Sequence, residues 1–143
     1  MIYQEILVPL DGSSAAEEAI SYALELCRLS GGTLTLVRIV PRSMTAAELW
    51  QVRQRQLEAE AELYLAEVAS RLDIAADRLQ YTVISGDAGQ SLLTLIQHES
   101  FDVLVMATRD RRDPVRWVLG SVADYLVQRA PIPVLLVRQR EVG

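Results

Sequence analysis

Ile6-Leu7-Val8-Pro9-Leu10-Asp11-Gly12-Ser13-Ser14-Ala15-Ala16-Glu17 passes from a strand to a helix within twelve residues. Ile6-Leu7-Val8 is wholly apolar, as a strand covered on both faces tends to be, and Pro9 ends it. Asp11 and Gly12 are turn residues. Ser14-Ala15-Ala16-Glu17 has capping-box form, in which the serine caps the helix and the glutamate returns a bond. Ala16, Ala19, Ile20, Ala23 and Cys27 then recur at spacings of three and four, one face of a helix, and Gly31-Gly32 stops it.

The same unit recurs down the chain. Apolar runs from Leu34 to Val40, Leu79 to Ile84, Val103 to Met106 and Val134 to Val137 are bounded by Pro41, Gly86, Pro131 and Pro133. Thr45-Ala46-Ala47-Glu48 is a second capping box. It opens a long helix with Leu49, Leu57, Ala61, Tyr64, Leu65, Val68 and Leu72 on one face and Arg55, Glu58 and Glu62 on a solvated one. Asp87 caps a third helix, with Gln90 at the box position and Leu92, Leu93 and Ile96 inward. Ser121 starts a fourth, with Val122, Tyr125 and Leu126 apolar. Strands alternating with helices predict an α/β, doubly wound parallel sheet with right-handed crossovers and helices on both faces. With no linker, low-complexity tract or internal repeat, residues 1–143 read as a single domain. A chain of that length buries about 68–70% of its unfolded surface and needs no disulfide or metal to fold.

Composition removes several chemistries. All 14 basic residues are arginine, so a Walker A phosphate loop and a lysine Schiff base are both excluded. A lone His98 excludes a histidine-rich zinc site, and nothing beside it completes a nucleophile–base pair. Its place at the end of the third helix suits the helix dipole. A lone Cys27, on the core face of the first helix, reads as an inert thiol in a reducing compartment. A net charge of -5 argues against nonspecific nucleic-acid binding. No apolar run approaches the ~20 residues that span a bilayer. Met1 to Glu5 carries no basic leader, so a cytoplasmic location with no membrane partner is expected. No catalytic residue and no metal ligand set stands out.

In doubly wound sheets ligands bind beyond the carboxyl ends of the strands, where the strand order reverses. That selects Pro9 to Ser14, Ile39 to Ser43 and Met106 to Val122. Asp11 accepts bonds from a ribose hydroxyl or a base amine in one reading and only shapes the turn in the other. One glycine there is too few for a dinucleotide fingerprint. Ser30-Gly31-Gly32-Thr33 stands at a helix end before a strand and reads as a helix stop, not a phosphate loop. Gly120-Ser121 offers free amides and a hydroxyl at a helix start, the chemistry of a phosphate seat. Arg109, Arg111, Arg112 and Arg116 are auxiliary anion contacts in that reading. In the other they pair with Asp110 and Asp113 in a solvated loop.

The opening Ile6 to Ser13, the Gly86 turn, Leu119-Gly120-Ser121-Val122-Ala123 and the closing Ala130-Pro131-Ile132-Pro133-Val134-Leu135-Leu136-Val137 together resemble the universal stress protein family over nearly the whole chain. The resemblance implies a five-stranded parallel sheet of order 3-2-1-4-5. It also implies a homodimer paired through the last strand, with Val134, Leu135, Leu136 and Val137 as its edge. One branch of the family binds ATP with the pattern glycine, two residues, glycine, nine residues, glycine, then serine or threonine. Those positions here are Ala107, Asp110, Gly120 and Ser121, so the last two match and the first two glycines are absent. By resemblance Asp11 and Ile39 contact adenosine and Gly120, Ser121 and Val122 hold phosphates. Pro9, Met106, Ala107 and Asp110 complete the nucleotide-binding candidates. The implied function is a non-catalytic, cytoplasmic, homodimeric stress-response module with an unidentified protein partner. Its nucleotide site is degenerate; no cofactor is required, and ATP or AMP binds at low affinity. The alternative is a functional ATP or AMP sensor using arginine side chains in place of the loop glycines. A hydrolase or nucleotidyl transferase needs an acid/base or metal constellation that Asp11 alone does not supply, although slow ATP hydrolysis is compatible with either reading.

Overall fold

Each apolar run forms a strand, and a helix joins each strand to the next. The computed structural model describes residues 2–42, 48–108 and 120–138, the side chains of 48 and 49 aside. The elements are β1 (Glu5–Pro9), α1 (Ser14–Ser30), β2 (Thr33–Val40), α2 (Glu48–Ser70), a one-turn 3-10 helix (Ala76–Arg78), β3 (Leu79–Ser85), α3 (Ala88–His98), β4 (Val103–Thr108), α4 (Ser121–Arg129) and β5 (Val134–Arg138). All five strands pair in parallel in the order β3-β2-β1-β4-β5. The strands outrun their apolar cores because polar ends such as Glu5, Ser85 and Arg138 still hold register, with Glu5 opposite Thr33, Val40 opposite Ser85 and Thr108 opposite Arg138.

Alternation along each strand divides the core into two layers. Ile6, Val8, Leu34, Leu36, Val103 and Val105 face α1 and α2, meeting Ala19, Ala23, Cys27, Leu65 and Val68. Leu7, Val37, Leu104 and Met106 face α3 and α4, meeting Leu92, Ile96, Ala123 and Leu126. Ile6, Leu7 and Val8 are therefore all fully buried, which explains why that run is apolar without alternation. The edge strand β3 differs: Gln80, Tyr81 and Thr82 are exposed.

Three local expectations are corrected. The cap of α1 is Ser13, one residue earlier than the capping box predicts; its backbone is extended and its Oγ accepts from the Ala16 amide at 3.1 Å. Glu17 does not fold back on the helix start. Its carboxylate accepts from the Tyr64 hydroxyl at 2.9 Å and from Arg71 at 3.3 Å, so a partner on α2 and a second just beyond its end outcompete the local box. Glu58 is also not on a solvated face, because it accepts from the Ser85 hydroxyl at 2.7 Å. Asp87 does cap α3, accepting from the Gln90 amide at 3.0 Å. Gly31 ends α1 in the left-handed region, φ 74°, and donates to the Cys27 carbonyl at 2.8 Å. Cys27 is buried, and burial pushes its thiol up against the opposing charge of Arg78. His98 closes α3 in solvent. The predicted box Thr45-Ala46-Ala47-Glu48 runs outside the described residues.

Candidate functional site

The crossovers leaving β1 and β4 lie on opposite faces of the sheet, and a crevice opens beyond the carboxyl ends between them. It is a cleft of about 220 Å³. Pro9, Leu10 and Asp11 follow β1, Ile39 comes from β2, and Met106, Ala107 and Thr108 come from β4. Ala16, Ala88 and Leu92 close it from α1 and α3, and Gly120 to Ala123 from the start of α4. The wall is mostly apolar with a few polar groups, the usual make-up of a small-molecule site.

The polar groups are held by local geometry. Asp11 Oδ1 accepts from the Ser13 amide at 2.9 Å and from the Ser13 hydroxyl at 2.5 Å, so Asp11 shapes the turn and lines the cleft at once. Gly12 has φ 90°, and a Cβ there would sit 2.9 Å from Nη1 of Arg38. Arg38 in turn lies over the Tyr64 ring at 5.3 Å. Burial, and then the bond to Glu17, raise the Tyr64 phenol well above its ordinary range. The turn thus rests on a packed guanidinium–aromatic cluster, which fixes where the Asp11 carboxylate stands.

On the other side of the cleft α4 begins at an extended Gly120, and no side chain among the described residues caps it. Its first amides have no intrahelical acceptor and favour negative charge. Thr108, the last residue of β4, is 1% exposed, and its Oγ1 has no hydrogen-bond partner among the described residues. Arg38 Nη1 is the other buried side-chain atom without a partner among the described residues.

Eight of the expected residues therefore meet in one cleft: Pro9, Asp11, Ile39, Met106, Ala107, Gly120, Ser121 and Val122. Asp110 and the arginines Arg109, Arg111, Arg112 and Arg116 lie outside the described residues. Sequence reasoning missed Leu10, Ala16, Ala88, Leu92, Thr108 and Ala123. Ala88 and Leu92 belong to a helix the strand-end rule does not reach, while Thr108 stood inside a segment that rule selected. Val134 to Val137 form most of edge strand β5, where Val137 is buried and Leu135 is 40% exposed. Among the described residues no three His, Cys, Asp or Glu side chains are grouped to hold a metal, and no helix is long and apolar enough to cross a membrane.

A parallel sheet with a mostly apolar cleft at its switch point, a carboxylate turn on one side and a helix start on the other, is a Rossmann-like α/β architecture. The universal stress protein family model matches residues 2–138, and the chain belongs to that family. It is 23% identical over 142 residues to a universal stress protein of Methanocaldococcus jannaschii, covering 96% of this chain and 84% of that one. The fold matches the solved hypothetical protein MJ0577 with a TM-score of 0.83 at 20% identity, over 99% of each chain. It also matches a universal stress protein solved in complex with cAMP, with a TM-score of 0.65 at 20% identity over 96% of this chain and 98% of that one.

Proposed function

We propose that this chain is a non-catalytic stress-response module that binds an adenine nucleotide weakly in the switch-point cleft and works as a homodimer. The observation that carries the reading is the convergence of Asp11, Ile39, Gly120, Ser121 and Val122 on one cleft. A volume of about 220 Å³ is below the ~300–1,000 Å³ of typical ligand sites, so it suits a nucleoside with its phosphates running out past the start of α4. The nucleotide class is supported by the fold relative solved with cAMP. The expected setting is the cytoplasm, with a protein partner and no nucleic acid, membrane or obligatory cofactor.

Weak phosphate binding follows from Asp110, which stands where the ATP-binding branch has glycine. Like charges 4 Å apart repel by about 1 kcal/mol in bulk water and about 4 at an effective dielectric of 20. Even the lower figure is a several-fold loss, since 1.4 kcal/mol is tenfold. Phosphoryl transfer needs a metal-held phosphate and a positioned nucleophile, and Asp11 is already engaged with Ser13. Turnover of ATP is expected to stay below about 1 s⁻¹.

Calorimetric titration of ATP and AMP tests the reading. ATP affinity is expected to rise stepwise from wild type through Asp110→Gly to Ala107→Gly/Asp110→Gly, and Asp11→Ala is expected to weaken AMP. No binding of either nucleotide by wild type overturns the nucleotide site. Binding of ATP by wild type below about 1 μM overturns the degenerate reading and favours a working sensor in which arginines replace the glycines.

A further inference from the structure

We propose that the Thr108 hydroxyl is a specificity-determining contact of the cleft, donating its hydrogen to a phosphate oxygen of the bound nucleotide. This rests on the nucleotide reading above. Thr108 ends β4, is 1% exposed, lines the cleft, and has no partner for its Oγ1 among the described residues. A buried hydroxyl left unpaired costs about 1–3 kcal/mol, and native proteins seldom keep one. The fold alone does not call for it. The four preceding residues of β4 that are buried are Val103, Leu104, Val105 and Met106, and valine at 108 would have the same shape, an equal or better strand preference and no orphan oxygen. A cost that packing does not explain, at the wall of a cleft, is the mark of a group whose partner arrives with the ligand.

The layout of the sheet says which part of the ligand it meets. Thr108 shares a strand face with Met106, two residues back, which belongs to the α3 and α4 layer. Ile39 ends the apolar wall on β2, and β1 lies between β2 and β4. Neighbouring strands are ~4.8 Å apart, so the two ends of the cleft are roughly 10 Å apart, the reach of a nucleoside. The open start of α4 stands on the β4 side, where negative charge is favoured, and the apolar β2 side takes the base. The ligand atoms at the β4 end are then acceptor oxygens, and the threonine hydroxyl is the donor they meet.

The test titrates AMP and adenosine into wild type, Thr108→Val and Thr108→Ser, and melts the three free proteins. Thr108→Val is expected to weaken AMP about tenfold, the loss of one hydrogen bond to a charged group. It is expected to leave adenosine within about threefold, while Thr108→Ser keeps AMP within about threefold. Free Thr108→Val is expected to melt at or above wild type, because it removes an unpaired buried hydroxyl. Unchanged AMP binding by Thr108→Val, or equal loss for AMP and adenosine, overturns the contact. A lower melting temperature for the valine variant overturns it as well, by showing that the hydroxyl already has a structural partner. Wild type that binds neither compound instead overturns the nucleotide reading, and this inference falls with it.

Discussion

Glu5 opens β1 beside Asp102, whose Oδ2 accepts from the amides of Gln4 and Glu5 at 3.0 and 2.8 Å. Asp102 is fixed there by the backbone it ties down. Partial burial, and then the charge of Asp102, raise the Glu5 carboxyl above its ordinary value of 4.5. A raised folded-state pKa means that the fold favours the protonated form. The stabilisation from Glu5 is complete below its unfolded pKa and is lost as pH rises through the folded one, leaving a net cost at neutral pH. Glu5→Gln is therefore expected to raise the melting temperature at pH 7, by no more than about 0.5 kcal/mol of stability, and to lose that advantage near pH 4. Melts across pH 4–8 check this; a lower melting temperature at pH 7 would mean that the carboxylate has a favourable partner. At this same scale the sequence was uneven as a guide. Asp11 and Gly120-Ser121 were legible because a carboxylate at a strand end and a Gly-Ser helix start carry chemistry in their identities. Thr108 was not, since threonine is an ordinary strand residue and only burial without a partner marks it out.

Both ends of α1 show what sequence can and cannot settle about an element. Its stop was readable, because Gly31 takes the left-handed conformation that glycine adopts at low cost. Its start was not, because Ser13 and Ser14 are both competent caps and the choice is made by Glu17 reaching across to Tyr64. Tertiary bonds also placed Glu58, whose partner Ser85 is 27 residues away. The glycine pair after α1 separates two physical effects. An added Cβ at Gly31 meets open space and costs only the strain of φ 74°, about 1–2 kcal/mol. An added Cβ at Gly32 would lie 2.1 Å from the Gln4 carbonyl oxygen, which itself accepts from the Thr33 amide at 2.7 Å and so cannot step aside. Gly32→Ala is expected to cost more than about 3 kcal/mol, the upper end for overpacking, and Gly31→Ala less. Urea unfolding of the two variants checks the order; equal losses would mean that the start of β1 moves to make room.

At the scale of the whole molecule, among the described residues the sheet has two edges, β3 and β5, and each pairs with one strand only. An open edge with apolar side chains invites a second copy. Both offer one: Tyr81 on β3 is 45% exposed and Leu135 on β5 is 40% exposed. If both edges self-paired, each copy would bind two others and assembly would run on as a fibre. Self-pairing through one edge about a two-fold axis closes at a dimer. The polar neighbours of Tyr81, Gln80 and Thr82, are exposed and lose hydration if covered. The neighbours of Leu135, Val134 and Leu136, are apolar and only partly buried, so covering β5 removes apolar surface from water. The balance favours β5. Light scattering at about 10 μM is expected to give twice the chain mass for wild type and for Tyr81→Arg. It is expected to give the chain mass alone for Leu135→Arg, whose charge would be buried without a partner at the interface. A wild-type monomer would refute the pairing. A dimer that survives Leu135→Arg but is lost in Tyr81→Arg would move the interface to β3, and with it the face left free for a different protein.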